Sequence, residues 1–65
     1  MSGVTTNLAD ELRKALRDGM NEHADYMAQG GCKDYDEYSH LCGVIKGLAI
    51  AERELLDLLK IAEDA

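Results

Sequence analysis

Gly30-Gly31-Cys32-Lys33-Asp34-Tyr35-Asp36-Glu37 is the stretch on which the fold turns. Two consecutive glycines stop a helix that arrives from the N-terminal side, because glycine takes the left-handed C′ conformation without the penalty that a Cβ imposes. Three residues later, Asp34 opens an Asp variant of the capping box: its carboxylate caps a second helix, and Glu37 reaches back toward the cap. A stop and a start joined by so short a link require the two helices to be antiparallel neighbours. The predicted architecture is all-α, a single helical-hairpin domain over residues 1–65. It has a flexible arm at 1–6, a helix at 7–29, a loop at 30–34 and a helix at 35–63.

Beyond the loop, Tyr38, Leu41, Ile45, Leu48, Glu52, Leu55, Leu59 and Ala62 recur at alternating spacings of three and four. That is the pattern of a coiled-coil-like seam. Before the loop, Leu8, Leu12, Ala15, Leu16, Gly19, His23, Tyr26 and Met27 also follow helical spacing. Thr6 or Asn7 would cap this first helix and place Asp10 and Glu11 in its first turn, where the helix dipole favours acids.

Composition supports helices and narrows function. The 65-residue chain has no proline and only three aromatic residues, all Tyr, which argues against a β-sandwich or barrel. It is 46% hydrophobic and 31% charged, too apolar for a disordered tail. Thirteen Asp and Glu outnumber seven Lys and Arg, for a net charge of −6. Direct nucleic-acid binding requires basic clusters that displace counterions from phosphate, so it is excluded as an expectation. An acidic surface suits a basic protein face instead. Residues 1–7 carry neither the basic nor the apolar region of a signal peptide, and no apolar run approaches the roughly 18 residues of a membrane span.

The candidates for chemistry fail on spacing. His23, Cys32, His40 and Cys42 are the soft metal ligands available, but His40 and Cys42 lie two apart on one helix and project to different sides. Cys42 is read as a small packing residue and His40 as a surface group. A Cys32–Cys42 disulfide would have to span about two helical turns, beyond the usual ~4.4–6.8 Å between Cα atoms. Ser39 and His40 are adjacent and so cannot face each other on a helix. Asp34, Asp36 and Glu37 lack the loop of an EF-hand and are explained by capping. The expectation is no enzyme, no catalytic residue, no cofactor and no metal.

Two features remain. Gly19, Gly43 and Gly47 lie inside helices, each at about 1 kcal/mol relative to Ala. Gly43 and Gly47 form a G-x-x-x-G pair that suits close backbone approach, and Lys46 between them excludes a membrane role. The second helix also carries more apolar surface than one seam can bury. Gly43, Gly47, Ile50, Leu58 and Ile61 lie on a different side from the main stripe, and exposed apolar surface marks an interaction site. Within the stripe, Glu52 interrupts the leucines and needs a cation or water: either Arg13, or a cationic group on an external protein, pairs with it, or the helix rotates slightly and Glu52 sits at the rim. The expected interaction residues are therefore Gly43, Gly47, Ile50, Leu58, Ile61 and Glu52, and the hairpin is expected to be completed by oligomerisation or by another protein.

Ala24-Asp25, Gly30 to Tyr38, Leu41-Cys42-Gly43-Val44-Ile45-Lys46-Gly47-Leu48-Ala49 and Glu52-Arg53-Glu54-Leu55-Leu56-Asp57-Leu58 together resemble small uncharacterised helical-hairpin proteins encoded by tailed bacteriophages. The likeness covers residues 24–60, and residues 1–20 have no part in it. It implies a minor virion structural protein that packs on a larger capsid, portal or tail component, located in the virion or the bacterial host cytoplasm. It carries over no catalytic residues. The alternative expectation is a small acidic, phage-encoded inhibitor or regulator of a basic host protein.

Overall fold

The computed structural model describes residues 2–64, and the side chains of residues 7–64. Two helices, α1 (Ser2–Ala28) and α2 (Tyr35–Asp64), form a helical hairpin, with no strand among the described residues. The hairpin is long and thin, about 47 × 16 × 11 Å, with a radius of gyration of 15.0 Å. A compact domain of this length would have a radius of about 11 Å.

The turn follows from the two glycines. Gly30 adopts φ 78°. Gly31 N–H donates to the Tyr26 carbonyl at 2.9 Å and Gly30 N–H to the Met27 carbonyl at 3.1 Å. These two bonds define a Schellman motif, which satisfies carbonyls that the end of α1 would otherwise leave open. At the start of α2, Asp34 Oδ1 accepts from Glu37 N–H at 2.8 Å, so Asp34 is the cap. The reciprocal half of the expected box is replaced. Glu37 turns its carboxylate to Tyr26 and accepts a 2.8 Å hydrogen bond from the phenol. A side chain from the other helix thus takes the carboxylate that local sequence assigns to the backbone.

The N-terminal arm is a correction. Residues 2–6 are helical and continuous with the rest of α1, so Thr6 and Asn7 are interior positions and not caps; Met1 lies outside the described residues. Once a helix is nucleated, each further residue adds a hydrogen bond, and no proline stands in this segment to stop it. Asp10 and Glu11 consequently sit beyond the first turn, which holds no acid.

The seam between the helices is built on Leu41, Ile45, Leu48, Glu52, Leu55 and Leu59 of α2, with Glu52 buried and the leucines and isoleucine half-buried. From α1 it receives Ala9, Leu16, Met20, His23 and Met27. Leu8 and Leu12, which share the apolar helical spacing of the first helix, are 72% and 49% exposed, whereas Ala9 is buried. The sequence carries two neighbouring stripes on α1, and only the one through Ala9 and Leu16 meets α2. No large side chain among the described residues is fully buried, and Ala9 is the buried hydrophobic residue. Two helices alone therefore leave the core unsealed.

Candidate interaction face

The face that α1 leaves bare begins with Leu8, Leu12 and Ala15, spaced four and three. Residues at that spacing share one side of a helix. On α2, Gly47, Ala51 and Leu58 follow a similar course beside the seam, with the seam residue Leu55 at its border. The two stripes lie on the same side of the hairpin. They meet toward its open end, where Leu8, Ala9, Leu12, Leu55, Leu58, Leu59 and Ala62 line a groove of about 280 Å³.

The middle of this face is flat. A Cβ built on Gly47 meets nothing within 4 Å, and the same holds for Gly43 further round the helix. The close approach for which these glycines are suited is therefore not used between α1 and α2. Among Gly19, Gly43 and Gly47, Gly19 is the one used internally, since its Cβ would sit 3.3 Å from Leu48 Cδ1. Gly31 is required by crowding at the turn, where a Cβ would fall 2.5 Å from the Tyr26 ring.

The six expected interaction residues separate into three groups. Leu58, 63% exposed, forms a wall of the groove, and Gly47 lies on the same stripe about three turns nearer the loop. Gly43, Ile50 and Ile61 are exposed further round α2, toward the side opposite α1. Glu52 belongs to neither group: it is buried in the intramolecular seam. There its Oε2 accepts a 2.7 Å hydrogen bond from Arg17 Nε and lies 3.5 Å from Arg13 Nε. Arg13 was the expected partner, and the shorter contact belongs to Arg17, one turn nearer the loop.

The other side of the hairpin is polar. Arg53 pairs at 3.8 Å with Asp57 on the surface of α2, and Lys14, Lys46 and Lys60 are exposed. Tyr35 and Tyr38 stack with ring centroids 6.2 Å apart. Near the loop, the bond from Tyr26 to Glu37 is the main reason that the Tyr26 phenol is held above its ordinary pKa of 10.0. Burial is the first cause that raises the Cys32 thiol, followed by the negative charge of Glu37. Tyr38 is also raised, chiefly by the neighbouring Cys42. Cys42 is exposed, which corrects its reading as a packing residue; both cysteines are free thiols.

Among the described residues, no group of three or more His, Cys, Asp and Glu side chains comes together as a metal site. None of the described helices is long and apolar enough to cross a membrane. The chain matches no family model, no curated protein and no solved structure.

Proposed function

We propose that the protein is an assembly element, a helical hairpin that completes its core by laying its apolar face on other protein surface. The observation that carries this reading is the exposure of Leu8, Leu12 and Leu58 around one groove, with no fully buried large side chain among the described residues. Contiguous exposed apolar surface of this kind marks protein contacts in water-exposed chains. The reading assigns no catalytic residue, cofactor or metal to the chain.

In its specific form, the protein is a minor structural component of a tailed-phage particle, present in several copies on a larger capsid, portal or tail protein. Support for that form comes from the resemblance of residues 24–60. A net charge of −6 supports a second form, an acidic inhibitor or regulator of a basic host protein. Quantitative mass spectrometry of purified particles of the encoding phage separates the two. A structural component is retained at fixed stoichiometry through purification and salt washing. Absence from the particle would leave the regulatory form.

A further inference from the structure

We infer that the occupant of the open-end groove is a second copy of this chain, so that two hairpins form a four-helix bundle with their grooves facing each other. The inference rests on the reading of the apolar face as a docking surface and names its partner.

The first argument is area. The chain exposes 5153 Å². A folded monomer of 7.1 kDa is expected to expose about 4,100 Å². The excess is about 1,000 Å², close to the roughly 800 Å² that each partner buries in an interface of standard size. Two copies that cover this excess on each other return the chain to the surface of an ordinary folded protein.

The second argument is shape. The groove has Leu55 and Leu59 on its floor, and Leu8, Leu12 and Leu58 stand at its walls. A two-fold axis running along the length of the hairpin brings the wall leucines of one copy over the floor of the other, and every contact is made twice. The groove thus supplies both knob and hole. Nearer the loop, the flat stretch at Gly47 lets the second hairpin lie close, since no side chain of the first copy stands above that position. An antiparallel hairpin that pairs face to face gives a four-helix bundle, in which the seam and the outer stripe become one core.

Charge predicts how this association differs from docking on a basic partner. Each copy carries −6, so a pair carries twice −6, or −12. Salt screens this repulsion and should tighten self-association, whereas it weakens attachment to a basic protein.

The test is sedimentation equilibrium of the full chain across micromolar concentrations, at low and high salt. A dimer mass is expected, with a dissociation constant that falls as salt rises. Leu58→Glu and Leu12→Lys should each weaken the dimer about thirtyfold or more, as loss of a central anchor does. An equimolar mixture of the two variants should recover association, because each variant keeps one groove wall for the other's floor and the new charges are opposite. Recovery also shows that both variants still fold. Equal dimerisation by the wild type and both variants would place the interface elsewhere and overturn the proposal. A monomer with a shallow melt overturns the second copy but leaves docking on a different protein intact. A monomer with a sharp, concentration-independent melt overturns both.

Discussion

Glu52 Oε2 lies 2.7 Å from Arg17 Nε, across the helix interface and 35 residues away in sequence. The carboxylate is buried, while the arginine side chain is about half exposed, at 56%. The geometry lets the seam hold a charge without sealing it off: Arg17 reaches in from the rim, and Arg13 supports it at 3.5 Å. Replacing Arg17 with Met should therefore destabilise the hairpin by about 1–2 kcal/mol, less than a full charged hydrogen bond because Arg13 can tighten. Replacing both arginines should cost more than the sum of the single changes. A double-mutant cycle read by urea unfolding checks this, and strict additivity would show that the two contacts are independent.

Glu52→Leu should act in the opposite direction. A leucine there joins Leu48 and Leu55 in an uninterrupted apolar seam, and exchange of a buried ion pair for packed hydrophobic groups is commonly neutral or stabilising by about 1–4 kcal/mol. What the charge supplies is register, because it can be satisfied only where Arg13 and Arg17 arrive. The variant should melt at a higher temperature and populate more than one oligomeric state by native mass spectrometry. If both stability and assembly stayed as in the wild type, the pair would have no part in specifying the hairpin.

The turn and the α2 seam are legible in the sequence because each has a local cause: the Gly-Gly stop, the Asp34 cap, and the three–four spacing from Leu41 to Leu59. What was not legible depends on how the helices rotate about each other. Leu8, Leu12, Leu16 and Met27 look alike in a one-dimensional pattern, and only packing decides that Ala9 goes inside and Leu8 stays out. The same applies to Glu37. The capping-box spacing is correct, but the partner that wins, Tyr26, comes from the other helix. The start of α1 was misjudged because Thr6 and Asn7 favour caps without forbidding a helix interior.

The bond between Tyr26 and Glu37 predicts an alkaline limit. The folded-state pKa of Tyr26 is raised above 10.0. The bond therefore contributes stability that is fully present below pH 10 and is lost as pH rises through the folded pKa, where the phenolate no longer donates and repels Glu37. Tyr26→Phe should lower thermal stability modestly at neutral pH and flatten the decline expected of the wild type above pH 10. Melting curves at neutral and alkaline pH, with phenolate absorbance followed in parallel, check both halves.

The loop glycines should be less replaceable than those of α2. Gly30→Ala places a Cβ on a residue with φ 78°, at roughly 1–2 kcal/mol. Gly31→Ala drives the Tyr26 ring aside and should also lose its bond to Glu37. In the Gly31 variant the raised Tyr26 titration should return toward an ordinary tyrosine, a signature that Gly30→Ala should not share.

Gly47→Leu tests whether the flat part of the face is used. Within one hairpin nothing opposes the substitution: a Cβ there meets no atom within 4 Å. Leucine is also the better helix former by close to 1 kcal/mol. If the protein acted as an isolated hairpin, the variant would be more helical and more stable, with no other consequence. Close packing of a second protein surface over Gly47 predicts a split result. Helicity at low concentration should rise, while association weakens, because the new side chain stands where the neighbouring backbone lies and well-packed interfaces tolerate added bulk poorly. Gly47→Ala should fall between, gaining helix propensity and adding only a methyl group. Circular dichroism at low concentration and sedimentation at high concentration measure the two effects on the same samples. A Gly47→Leu protein that associates as tightly as the wild type would show that position to be solvent-facing in the assembly, and would confine the interface to the leucine groove at the open end.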